Sequence, residues 1–282
     1  MIIQIGEKSH SAEPVPQTMS TGNESPFRAV GVGTMLQQSL RVPVQAVALQ
    51  SIADFHLKGR QDEVAKIQAV LSSLYSGSAN MLAAAGQQTF DAVQMLARTN
   101  PGAYQPANGA KYPAGRFGEG LTTVAQPIKA DVGLEVACVD IGGWDTHVGE
   151  GGADGGELPR LLQKLGEGLA AFYLDMQDRM GRITVVTMSE FGRRVQENSS
   201  HGTDHGHGNA MMLMGGGVQG GKVYADWPSL APDKRYGPGD LAVTTDFRDV
   251  LGELVRKRLT NPELDAVFPN YTPAFRGIFR PA

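Results

Sequence analysis

The side chains best suited to chemistry sit in two short stretches. One runs from Ser189-Glu-Phe-Gly-Arg193 to His201-Gly-Thr-Asp-His-Gly-His-Gly208 and holds three of the six histidines, His201, His205 and His207. The other is Asp140-Ile-Gly-Gly-Trp-Asp-Thr-His147, which holds a fourth. Neutral imidazole keeps a lone pair near pH 7 and is the usual ligand of zinc-like ions. Asp145 and His147 are separated by one residue. In an extended segment such a pair points to one side, as two ligands of one ion must. The same holds for His205 and His207. Asp204 faces away unless the chain turns there, which the surrounding glycines permit. An Asp/His set without thiolates suits a divalent ion such as zinc or manganese. Some of the carboxylates can instead hold an imidazole from behind.

Several conspicuous residues have plainer readings. His201 reads as solvent-exposed, His10 and His56 as incidental, and Trp144 as loop packing. Arg193 and Arg194 read as solvated or capping cations. Gly215-Gly-Gly217 is followed by no Lys-Ser/Thr and reads as a turn, not a phosphate cradle. The chain contains no G-x-S-x-G, H-E-x-x-H, P-loop or C-x-x-C motif. That argues against the usual serine hydrolases, zincin proteases and nucleotide-phosphate motors.

The elements that must position the two stretches follow from periodicity. Leu134–Asp140 is a continuous apolar run, as expected of a strand buried on both faces. Ile183–Met188 is a second. Between them Leu158, Leu161, Leu162, Leu165, Leu169, Phe172 and Met176 recur at helical spacing, with Pro159 in the first turn and Gly181 at the end. Strand, helix and strand make a βαβ unit with parallel strands. Ligands bind beyond the carboxyl ends of such strands, so the two stretches should be neighbours in space. Val42–Leu49, with Pro43, reads as an edge strand or one starting after the proline. Helices are expected over 64–74, 79–98, 120–129 and 246–259, the last capped by Asp246 or Thr245. Residues 209–214 form another apolar run, and residues 1–27 read as an irregular arm.

The totals bound the class. With 282 residues, 41% hydrophobic and 19% charged, the chain can bury a real core as one large domain or two small ones. A net charge of −4 gives no reason to expect nucleic-acid or anionic-membrane binding. The single cysteine, Cys138, lies within an apolar run and reads as a buried thiol. No apolar stretch approaches the length of a membrane span. The first ten residues lack a charged region followed by an apolar core, so the default compartment is the cytoplasm.

Gly143-Trp-Asp-Thr-His147, Gly168-Leu-Ala-Ala-Phe-Tyr173, Val185-Val-Thr-Met-Ser-Glu-Phe-Gly-Arg193, Gly202-Thr-Asp-His-Gly-His-Gly208 and Thr244-Thr-Asp-Phe-Arg248 occur in this order. Together they resemble a bacterial family called domain of unknown function 1501, over roughly residues 27–280. That family looks like a branch of the alkaline phosphatase and sulfatase superfamily. The resemblance implies an α/β fold with a mostly parallel central sheet and helices on both faces, here over residues 28–282. It implies a metal-dependent hydrolase of phosphate or sulfate esters, with a small anionic ester as substrate. Asp145, His147, His205 and His207 would be ligands of zinc or manganese, with Glu190 and Asp204 as ligands or outer supports. Arg193 would grip the anionic substrate.

Where the superfamily has Ser-Asp-His-Gly, this chain has Ser189-Glu-Phe-Gly192, and Phe191 cannot bind a metal. One metal site is therefore expected and not two. Relatives also carry an Asp-bearing first strand with a nearby nucleophile, ahead of the matched region. Residues 1–27 stand in its place, so the resemblance names no nucleophile and leaves two readings open. One is a hydrolase, and the other is a non-catalytic binding or scaffold protein with the same fold. Relatives are often exported.

Overall fold

The structure, a computed structural model, describes residues 2–5, 25–35, 46–50 and 103–280, with isolated positions between 40 and 95. The helices expected over 64–74 and 79–98 otherwise lie outside the described residues. The strands are β1 Ile2–Ile5, β2 Ala29–Val32, β3 Ala46–Leu49, β4 Val136–Cys138, β5 Ile183–Val186, β6 Gly192–Glu197, β7 Thr203–Gly206 and β8 Leu213–Gly215. The continuously described helices are α1 Arg116–Lys129, α2 Glu157–Asp175, α3 Phe247–Lys257 and a short α4 Leu264–Val267. Six strands form one sheet in the order β3-β2-β4-β1-β5-β8, and β6 and β7 form a separate hairpin.

Side-chain alternation shows how the sheet is covered. Successive strand residues point to opposite faces. Val30, Ala137, Val139, Ile183 and Val185 enter one core, packed with Phe117 and Leu121 of α1 and Phe172 of α2. Their neighbours point the other way. Val186 packs with Val250 and Leu254 of α3, and Ala29 and Cys138 pack with Leu40. The molecule is thus an α/β protein with α1 and α2 on one face and α3 on the other. Ala137, Cys138 and Val139 of the apolar run are buried on alternate faces, as expected of a strand covered on both sides.

The sheet is mixed, which corrects the expectation of a mostly parallel one. β2 pairs in parallel with β3 and β4. β1, however, lies between β4 and β5 and runs antiparallel to both, and β8 is antiparallel to β5. β4 and β5 therefore run the same way, as the βαβ reading requires, but are not hydrogen-bonded neighbours. The misread stretch is Met1-Ile-Ile-Gln-Ile5, whose short apolar run was absorbed into an irregular arm. β3 starts after Pro43 and lies at the sheet edge, where a proline is tolerated.

The helices follow their sequence signals closely, with local differences. α1 begins at Arg116, four residues before the expected start. α2 ends at Asp175 rather than near Gly181, and Met176–Arg182 continues as turns. Leu162 of its apolar series is 43% exposed, so the buried stripe is narrower than the spacing suggested. α3 is capped by Asp246, whose side chain accepts from the Arg248 amide. No described helix is long and apolar enough to cross a membrane.

Two buried carboxylates pin the remaining segments. Asp175, at the end of α2, is fully buried. It accepts from Lys129 and Tyr104, from the Tyr112 hydroxyl at 2.7 Å and from the Ala107 amide at 2.6 Å. These bonds tie the glycine- and tyrosine-containing loop after residue 103 to both helices. Glu253 of α3 is also fully buried. It accepts from Lys257 at 2.7 Å and from the Arg276 and Phe279 amides at 2.9 and 3.0 Å, fastening the C-terminal segment.

Candidate metal centre

The loop after β4 and the hairpin after β5 meet, as the spacing argument anticipated. Residues 146–150 run against the hairpin turn. The Gly149 and Glu150 amides donate to Ser200 and His201 carbonyls at 2.9 and 2.8 Å, and the Thr203 amide donates to Thr146 at 3.3 Å. Gly202 permits this approach. A Cβ there would lie 2.3 Å from the His147 carbonyl carbon and oxygen. The turn itself is held by Asn198, whose Oδ1 accepts from the Ser200 and Gly202 amides. The β6–β7 hairpin was not among the elements expected from periodicity. Its signal was the polar, weakly alternating Arg193–Glu197 followed by the Asn-Ser-Ser-His-Gly turn, a weak signal without an apolar face.

The hairpin delivers His205 to the loop. His205 Nε2 lies 2.7 Å from Asp145 Oδ1, and His147 Nε2 lies 3.1 Å from the same oxygen. The Asp145–His147 pair thus shares one side, although the loop is bent by bonds from the Thr146 and His147 amides to Trp144 and Asp145 carbonyls. Ligand atoms of Asp145, His147 and His205 all lie within 4.8 Å of one another. On its other side, His147 Nδ1 lies 3.1 Å from Asp204 Oδ1. The Asn198 amide donates to that carboxylate at 3.1 Å and to the His147 carbonyl at 3.0 Å.

Hydrogen bonding holds both carboxylates ionised. His205, opposed by slight desolvation and aided by the charges of His147 and Arg193, keeps Asp145 below the usual carboxylate range. Asn198 first and His147 second do the same for Asp204. Two imidazoles and one carboxylate, with a carboxylate behind one imidazole, match the donor chemistry of a three-ligand zinc-type site. The residues fit the ion that the sequence pointed to.

The other candidates separate. Asp204 backs His147 instead of joining the three-residue group. His207 lies beyond the end of β7, and its Nδ1 pairs with Asp240 Oδ2 at 2.7 Å while its ring meets Tyr236 edge-on. His207 thus stands one residue past the end of β7 and outside the group that holds His205. Glu190 is exposed and outside the group. His201 is exposed and pairs with Glu197, as its bland reading held.

Arg193 faces inward as a clamp. It donates to the Thr203 and Trp144 carbonyls and, at 3.2 Å, to the Thr146 hydroxyl. It therefore ties loop to hairpin through these bonds. Phe191 stacks on the His205 ring with centroids 4.0 Å apart and planes 13° apart. Asn198, Thr146 and Asp240 were not singled out from the sequence. Asn198 had a turn signal, whereas Asp240 lies 33 residues from His207 with no local pattern to announce it.

The class of protein is α/β, a mixed sheet between helices, with Asp145 and His147 on the loop after β4 and His205 on strand β7 of the hairpin after β5. The chain belongs to the family described as protein of unknown function DUF1501, whose model matches residues 16–259. No curated protein and no solved structure matches it.

Proposed function

We propose that the protein is a metal-dependent hydrolase of phosphate or sulfate esters with an alkaline phosphatase-like fold, using a single divalent ion, zinc or manganese. The observation that carries this reading is the convergence of Asp145, His147 and His205 within 4.8 Å. These three would hold the ion. A bound ion of this kind supplies Lewis-acid polarisation to an ester oxygen and favours ionisation of an attacking water or hydroxyl. The chain's own residues do the holding. Asp204 and Asn198 fix the His147 ring, and Arg193 fixes the loop that carries Asp145. The cluster is half-exposed, which leaves room for a substrate to approach. Purified protein supplied with zinc or manganese is expected to turn over an aryl phosphate or aryl sulfate, with activity abolished by a chelator and by His205→Ala. No chelator-sensitive turnover of either ester would refute the hydrolase.

A specific observation favours the second reading, a non-catalytic protein in which the ion cross-links loop and hairpin. Arg193 is committed to Trp144, Thr146 and Thr203, and the Ser189 hydroxyl donates to the Phe191 carbonyl at 2.7 Å. Metal binding that stabilises the fold without any turnover would select this reading.

A further inference from the structure

The two histidines of the cluster are oriented by different means. His147 has Nδ1 against Asp204, which Asn198 holds in turn. His205 has no such support: among the described residues its Nδ1 meets no carboxylate or carbonyl, and its only hydrogen bond is through Nε2 to Asp145. Its ring instead lies flat on Phe191, at 4.0 Å and 13°. Phe191 is itself held on several sides. Its carbonyl accepts from Ser189 Oγ at 2.7 Å and Asn209 Nδ2 at 2.6 Å. The Arg193 guanidinium carbon sits 4.9 Å from its ring centroid. Arg193 is also the cross-strand partner of His205.

From this we infer that Phe191 is a positioning residue of the metal centre. Its flat face sets the plane of the His205 imidazole, as the Asp204 carboxylate does for His147. An imidazole ligand must present its lone pair in the ring plane, so a fixed ring plane is a fixed ligand direction. Outer supports that orient ligands in this way change metal affinity by about 10–100-fold when removed. Stacking on an apolar ring performs the same task without adding charge, which suits a site already holding Asp145 and Asp204. The inference rests on the metal-site reading above but not on hydrolysis.

The test uses the full chain with Phe191→Leu, which keeps apolar bulk but loses the flat ring, and Phe191→Tyr, which keeps it. Phe191→Met replaces the leucine variant should that fail to fold. Two readouts are taken: the His205 ring proton resonances in metal-free protein, assigned with His205→Ala, and zinc affinity by competition with a chromophoric chelator. Phe191→Leu is expected to remove the aromatic ring-current shift from His205 and to weaken zinc binding by about ten-fold or more. Phe191→Tyr should restore both. Unmoved His205 resonances, or zinc affinity within about two-fold of wild type, would overturn the positioning role alone. Wild-type protein that binds no zinc would overturn the metal reading and this role together.

Discussion

Asp204 shows how the site divides its labour. It sits one residue before a ligand, yet its oxygen faces His147 Nδ1 and the Asn198 amide. Asp204→Asn keeps the shape but loses the negative charge that supports a metal-bound imidazole. Zinc affinity should fall by about 10–100-fold with the fold intact, which a titration paired with a circular dichroism spectrum would show. An unchanged affinity would place Asp204 outside the site. At this scale the sequence was informative about residue type. Asp145, His147 and His205 were readable from lone-pair chemistry and one-residue spacing. His207 was not separable from His205, because where β7 ends depends on its pairing with β6. Phe191 looked like damage to a metal motif because sequence shows what a side chain cannot ligate, not what it can stack on.

Between elements, close approach decides what glycine does. Gly168 of α2 faces α1, and a Cβ there would lie 2.3 Å from a Phe117 ring carbon and 2.9 Å from Leu121 Cδ1. Gly168→Ala should overpack that contact and cost about 1–3 kcal/mol, read as a lower denaturant midpoint. Gly202→Ala meets backbone, not side chain. It should separate hairpin from loop and weaken metal binding more than it lowers global stability, since the hairpin lies outside the main sheet. Helices α2 and α3 were legible from 3.6-residue periodicity and, for α3, an aspartate cap. The hairpin was not, because its strands are polar and short and it is held by backbone bonds, an asparagine turn and Arg193. β1 was not legible for a related reason: four residues carry little pattern, and nothing local announces that they lie between β4 and β5.

Across the whole molecule, buried carboxylates join segments that are distant in sequence, and they carry a pH signature. Burial alone would raise Asp175, but hydrogen bonds from Lys129, Tyr104, Tyr112 and the Ala107 amide outweigh it and hold the carboxyl below the usual range. Its burial and the facing carboxylate push the Tyr112 phenol well up. Glu253 is likewise raised by burial and lowered further by Lys257 and the Phe279 and Ile278 amides. A carboxylate depressed in the folded state stabilises fully above its unfolded pKa, about 4. That contribution is lost as pH falls through the folded value. Stability should therefore decline below about pH 4. Asp175→Asn should cost roughly 3 kcal/mol at pH 7 and flatten that decline, measured by urea unfolding at pH 7 and pH 3. The two-faced sheet was legible in the apolar runs at 134–140 and 183–188, whereas its strand order rests on long-range pairing that no local pattern encodes. The central claim is that loop and hairpin converge to hold one ion. Calorimetric titration of metal-free protein with zinc tests it most directly. The account predicts one ion bound per chain, and none in a His147→Ala, His205→Ala double variant that remains folded. No binding by the wild type, or equal binding by the double variant, would contradict it.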